Sequence, residues 1–278
     1  MQRYLAEFLS DPRVVRLPRA LWLPILHGIV LRTRPAKSAR KYAQIWTAEG
    51  SPLAVNTRRQ ADALQTSLPE IKVAHAMRYG EPSIAAALAR LEGCDITAVP
   101  LYPQYSESTT ASVADRLPPG ARMIRDFHDH PGYIGALAAQ VRRHWQRNGR
   151  AMLVLSFHGL PQRGGEGYAQ QCRVTARLLQ EQLQWDALVT FQSRFGYAAW
   201  LQPYTEPTLA RLAAAGKQRI DVFCPGFVAD CLETLEEIGI AARRAFLAAG
   251  GSDFYLLPCL NDSPEWIAAL ASIARGSG

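Results

Sequence analysis

Residues 151–161 read AMLVLSFHGLP. Five mostly branched apolar residues form a run too short for a helix and too apolar for a surface strand. Such a run, closed by Gly159 and Pro161, reads as a strand buried on both faces. The run stops at His158. In a parallel α/β sheet the carboxyl end of a strand opens into the ligand crevice. His158 is therefore expected at the floor of a site, on a rigid element, with an imidazole that exchanges protons near neutral pH. The competing reading is a core histidine satisfied by a backbone carbonyl.

The rest of the chain alternates in the same style. The patterns predict helices over 2–10, 58–68, 82–91, 133–148, 205–215 and 232–248, and one ending at 183. They predict strands over 72–77, 96–102, 188–192, 220–224 and 254–257. A last helix is expected to start at Ser263-Pro264, with Ser as N-cap and Pro at the first helical position. Strands alternating with helices of this length argue for parallel α/β layers. An internal repeat sharpens the picture. VAHAMRYG (73–80), ALARL (88–92) and DITAVPLYPQYSESTT (95–110) are echoed by LVTFQSRFG (188–196), TLARLAAAG (208–216) and IDVFCPGFVADCLETL (220–235). Two halves on one plan, facing each other, make a cleft lined by strand ends from both.

A chain of 278 residues with 48% hydrophobic and 20% charged residues has the composition of a globular protein. Its net charge of +7 favours acidic partners, such as a small polycarboxylate. The arginines are dispersed and no nucleic-acid motif is present, so nucleic acid is not expected as a partner. The five cysteines are odd in number and show no CxxC pairing, the usage of reduced thiols in a cytoplasmic protein. No signal-peptide pattern precedes the first helix. The apolar stretch 17–31 is shorter than the roughly 20 residues a membrane span needs, and it carries Arg19, Pro24 and His27. It reads as a core helix or an apolar lip that touches a membrane surface.

Four strand-end loops carry unusual residues. They are Ser156-Phe157-His158, the segment 192–196 with Trp200 beyond it, CPGFVADCLETLEE (224–237) and YPQYSESTT (102–110). In the third, Asp230, Glu233 and Glu237 stand at i, i+3 and i+7, one face of a helix start. Asp230 doubles as a helix cap in this reading. A line of carboxylates leading to a histidine suits proton relay or passage of a borderline divalent cation such as Fe(II). There is no P-loop, no GxGxxG after a strand, no GxSxG elbow and no HExxH. His128-Asp129-His130, beside Pro131-Gly132, reads as a solvated turn.

Together AMLVLSFHGLPQR, FQSRFGYAAWLQPYT, CPGFVADCLETLEEI, PLYPQYSESTT and LPCLND resemble the ferrochelatase family, in order and over nearly the whole chain. The proteobacterial protoporphyrin type is the nearest in pattern. The resemblance implies two similar Rossmann-like (chelatase-type) domains with parallel sheets flanked by helices and a porphyrin cleft between them. It implies insertion of Fe(II) into protoporphyrin IX with release of two protons. On it, His158 is proton acceptor or metal ligand and Glu233 its catalytic partner, with Glu237, and less directly Glu236, continuing the acidic path. Phe227, Trp200 and Tyr79 match porphyrin walls. Arg78, Ser51 and Arg34 match propionate-binding positions, and Gln192, Ser193 and Asp230 complete the expected porphyrin site.

Three departures stand out. Cys231 occupies a position where many relatives have a second histidine. Members with an iron–sulfur cluster use cysteines near the C-terminus; none follows Leu260 here, so no cluster and no prosthetic group is expected. The family opens with a strand and an NLGTP-type loop, whereas this chain starts at the first helix, and the stretch 111–122 looks shortened. The expected halves are 1–132 with a returning 262–278, and 133–261. The expected partners are protoporphyrin IX and Fe(II), with peripheral contact at the inner face of the cytoplasmic membrane, in a monomer or weak dimer. A porphyrin-binding protein with impaired turnover, its cleft lacking an opening strand, is the alternative. A cobalt or nickel chelatase is disfavoured, because those use paired histidines.

Overall fold

A computed structural model describes residues 1–194 and 198–276. Two parallel sheets are present among them. The first holds β1 (Thr97–Ala98) and β2 (Arg122–Met123). The second holds β3 (Met152–His158), β4 (Ala187–Gln192), β5 (Arg219–Phe223) and β6 (Asp253–Leu256), in the order β4-β3-β5-β6. Helices Glu166–Leu183 and Thr205–Ala214 and the segment 233–248 connect these four strands, as parallel pairing requires.

The AMLVLSFHGLP run is a central strand. Leu153, Leu155 and Phe157 enter one core, with helices Pro131–Asn148 and Glu166–Leu183, while Val154 enters the other, with Leu209, Ile220, Val222 and Phe246. Both faces are covered, so the strand reads as continuous apolar sequence. From β3 the chain goes to β4 on one side, then returns to β5 on the other. The crevice at the carboxyl ends of β3 and β5 is the topological switch point, the place where such sheets bind ligands. His158, facing Gln192 in the register, stands at its edge.

The last helix, Pro264–Arg275, packs against both Pro131–Asn148 and Pro52–Ser67. It starts at Ser263 as expected, but the hydroxyl makes no capping bond. His130 instead caps helix Pro131–Asn148, its side chain accepting from the Gly132 N–H at 3.2 Å.

Several expected elements take another form. Residues 72–77 form no strand; a single bridge joins Met77 to Ser83. Residues 96–102 shrink to the two of β1. Strand propensity needs a neighbour to pair with, and no strand hydrogen-bonds with 72–77 among the described residues. The basic segment 32–42 is helical, within Leu31–Ala43. It continues a helical arm made of Arg19–Ile25 and the π-helical Leu26–Val30. Pro24 and Pro35 lie inside this arm, each lacking the N–H an α-turn needs, and the helix widens between them. The stretch 17–31 is both core and lip. Leu26 and Leu31 are buried, whereas Leu21 is 67% and Ile29 61% exposed.

Candidate active site at the carboxyl ends of the strands

The site is assembled around the turn after β3. Gly159 donates its N–H to the Gln192 carbonyl at 2.7 Å. A β-carbon at Gly159 would meet that oxygen at 2.7 Å and the Trp200 ring at 3.3 Å, so only glycine fits. The His158 ring faces Phe227 at 6.4 Å between centroids. Its Nδ1 lies 2.6 Å from the Gly159 carbonyl oxygen. A carbonyl only accepts, so Nδ1 carries the proton in this bond and Nε2 presents a lone pair. The competing sequence reading, a histidine satisfied by a backbone carbonyl, describes one nitrogen. It leaves Nε2 unaccounted for.

The acidic line is real but organised differently from an α-helical face. Residues 233–242 are π-helical, followed by α-helix Arg243–Ala248. The wider π-turn bonds i to i+5, so i and i+4 stand nearly above each other while i+3 is rotated away. Glu233 and Glu237 share a face in this geometry. Glu236 is turned aside, buried, and paired with Lys41 at 2.8 Å, so it does not continue the acidic path.

Glu237 accepts from both the N–H and the hydroxyl of Ser193, each at 2.6 Å. Ser193 holds a left-handed backbone, φ 67°, which a non-glycine residue adopts at a cost. Burial pushes the Glu237 carboxyl up, while the Ser193 bonds and the nearby His158 pull it down and Glu233 pushes it up again. Gln192 is buried and fully engaged. It donates to the Glu233 backbone carbonyl at 2.7 Å and accepts from Ser156 Oγ at 2.7 Å.

Three tyrosines gather around Glu233. Burial and then the Glu233 charge push the Tyr102 phenol up, and push Tyr42 up to about 12. Tyr4 is raised by burial first, with Tyr42 and Glu233 adding to it. The buried Cys231 thiol is likewise raised by burial and by Glu233, so it stands protonated. Tyr102 was legible as a strand-end residue. Tyr4 and Tyr42 carry no sequence signal, because they reach the site from the helical arm, to which helix Gln2–Leu9 and the turn after it at Asp11 belong through the packing of Leu5 and Leu9 on Leu26 and Leu31.

Three expected porphyrin contacts are used otherwise. Asp230 precedes the helix and is buried; its carboxylate accepts from the Cys259 N–H at 3.1 Å and the Asn261 amide at 2.7 Å. It ties the loop after β5 to the loop after β6. Gln192 spends its side chain on Glu233 and Ser156, as above. Arg78 is buried against Asp11 and donates through Nε to the Ser112 carbonyl at 2.7 Å. Its charge is neutralised within the protein. Trp200 is buried behind the Gly159 turn, and Tyr79 is half-buried with its hydroxyl on Asp11 at 3.0 Å. Ser51 is the N-cap of Pro52–Ser67 without a capping bond from its hydroxyl, and Arg34 stands half-exposed on the arm. Phe195 and Gly196 of the FQSRFG segment lie outside the described residues.

Among the described residues, the side-chain donor atoms that gather within 4.8 Å of one another belong to the partly exposed turn of Asp126, His128 and Asp129. In that turn His128 Nδ1 and Asp126 lie 2.7 Å apart, an internal pair that pulls the Asp126 carboxyl down.

The fold is of the chelatase type. Solved structures titled "SirB from Bacillus subtilis with Fe3+" and "Crystal structure of the sirohydrochlorin chelatase SirB from Bacillus subtilis subspecies spizizenii in complex with cobalt" match 82% of this chain. They do so with TM-scores of 0.56 and 0.53 at 16% and 14% identity, over 92% and 91% of their own chains. The ferrochelatase family model matches residues 1–277. Curated relatives named ferrochelatase are 58% identical in Methylibium petroleiphilum, 55% in an Azoarcus species and 53% in Bordetella pertussis. Each aligns with 99% of this chain and 82% of its own length. The chain belongs to the ferrochelatase family.

Proposed function

We propose that His158, Glu233 and Glu237 carry out iron insertion in the crevice at the ends of β3 and β5. As a ferrochelatase, the protein inserts ferrous iron into a porphyrin for haem synthesis. The macrocycle gives up two pyrrole protons and takes one Fe(II), so the site must accept protons and hand over a metal. The observation that supports these roles best is the tautomer of His158. With Nδ1 bonded to Gly159, Nε2 is the open base. Glu237 and Glu233 form an open path for the metal. A closed cage would hold iron as a resident ion, whereas substrate iron has to leave for the porphyrin.

Protoporphyrin IX is the substrate in this reading. Phe227 and Tyr79 are its walls, and Arg34 and Ser51 its propionate contacts. Trp200 backs the His158 turn. Gln192, Ser193 and Asp230 act as positioning groups, through Glu233, Glu237 and the loop after β5. Iron is the substrate, and no cluster or prosthetic group takes part. The chain reads as two halves, 1–132 with 262–278 and 133–261. It works in the cytoplasm as a monomer or weak dimer. No helix is long and apolar enough to cross a membrane among the described residues. The exposed Leu17, Leu21, Ile25 and Ile29 on the arm form a face suited to the inner surface of the cytoplasmic membrane.

The test is an anaerobic assay of the purified protein with protoporphyrin IX and Fe(II). Metalloporphyrin should form. His158→Ala should lower insertion by about 10²–10⁴-fold, the usual worth of a general base, while porphyrin still quenches tryptophan fluorescence. Quenching without insertion by the wild-type protein would instead identify a porphyrin-binding protein with impaired turnover. Near-normal insertion by the variant would remove His158 from the mechanism.

A further inference from the structure

The helical arm is attached to the cleft mainly by polar groups. Leu5, Leu9, Leu26 and Leu31 form a small core of their own, apart from the two cores of the sheet. Across the junction, Glu7 accepts from the Gly80 N–H at 3.0 Å, and Phe8 meets Tyr79 edge-on at 5.1 Å. Arg13 pairs with Glu107 and Asp115, and Lys41 with Glu236. Arg13 and Lys41 keep 32% and 54% of their side chains exposed, whereas Arg78 and Asp11 keep 6% and 7%. Exposed pairs contribute little, but breaking a buried pair strands a charge.

Asp11 is also fully occupied. One carboxylate oxygen accepts from the Arg13 N–H at 2.8 Å; the other accepts from Arg78 and from the Tyr79 hydroxyl. Arg78 in turn lies 4.4 Å over the Tyr79 ring and holds Ser112. A single carboxylate on the arm therefore fixes both the charge of Arg78 and the orientation of a ring at the cleft.

We propose that Asp11 is a positioning residue for porphyrin binding, a latch that closes the N-terminal arm onto the Arg78–Tyr79 loop and sets the Tyr79 ring. The latch rests on the reading of Tyr79 as a porphyrin wall. In this reading the anion that faces Arg78 is supplied from within the chain, by Asp11.

The experiment uses the full chain with Asp11→Asn. Trypsin should cut the ligand-free variant after Arg13, Arg16 or Arg19 about tenfold faster than wild type, because a buried pair has been broken. KM for porphyrin should rise by about tenfold with kcat within about twofold, since ground-state binding is what the latch supports. Protoporphyrin IX and its dimethyl ester should weaken alike in fluorescence titration. Asp11→Glu should restore part of the affinity. If D11N does not fold, Asp11→Glu, which keeps the charge but displaces it, is read in its place and should shift proteolysis and KM in the same direction by less. Unchanged proteolysis and KM would overturn the proposal. So would tighter binding of the dicarboxylate with the ester unaffected, which would mark Arg78 as a propionate ligand masked by Asp11. Proteolysis of the free protein does not depend on iron insertion, so failure of the catalytic reading would be seen separately.

Discussion

The second half of the chain and the first hold the site in opposite ways. In the second half, four parallel strands share cores on both faces, and His158, Gln192 and Ser193 stand at strand ends that cannot shift without disturbing the sheet. In the first half the sheet is two strands of two residues each, and the cleft residues Arg78 and Tyr79 are held by hydrogen bonds and one buried ion pair. Apolar packing is cooperative and hard to open locally; polar attachment is directional and opens one contact at a time. The groups proposed to react, His158, Glu233 and Glu237, sit on the rigid side. The side that must admit a flat macrocycle is the one fastened by polar contacts.

That contrast is open to direct attack. The largest effect is expected from Phe157→Ala, which removes a fully buried ring next to His158 and should lower global stability by about 3–5 kcal/mol in denaturant unfolding. Leu26→Ala in the arm removes an equally buried side chain. It should speed amide exchange and proteolysis of the arm while leaving the main unfolding transition nearly in place. Equal losses of global stability from the two would erase the distinction.

A smaller effect is expected from Gln192→Ala. It frees the Glu233 backbone carbonyl and leaves Ser156 without one acceptor, so Glu233 is no longer held against the end of β4. A misplaced reacting group costs up to about 10²-fold. The loss should fall on kcat; a loss confined to KM would return Gln192 to the list of porphyrin contacts.

The smallest effect concerns pH. In the proposed role Glu237 works as a carboxylate, so insertion should fall as pH drops through its folded value, which burial raises above 4.5. Ser193→Ala deletes one of two bonds that favour the charged form, and the acid limb of the rate profile should move to higher pH. The stability linkage has the matching sign. A raised native value makes the folded protein bind the proton more readily than the unfolded chain. Destabilisation by this group therefore sets in as pH rises from 4.5 through the folded value. Glu237→Gln should accordingly be more stable than wild type above that window and equal to it at acid pH. An unmoved acid limb in Ser193→Ala would show that the serine bonds do not tune Glu237.

The sequence by itself determined the second half. The run 151–155 followed by a histidine and a glycine predicts a central parallel strand with a site at its end, because burial on both faces leaves a one-dimensional signature. The strand at 220–224 is visible for the same reason, whereas those at 188–192 and 254–257, at the two edges of the sheet, show as short apolar runs between helices. The residues 72–77 carry similar propensity yet form no strand, because pairing is decided by what lies alongside. Spacing placed Glu233 and Glu237 together, but the π-turn that sends Glu236 to Lys41 is a property of the folded helix. Residue type suggested Arg78 as a cation for the substrate. Only the tertiary structure shows that Asp11, from 67 positions away, lies against it in the same buried space. A charge is written in the sequence; whether it is already neutralised depends on which distant segment packs against it.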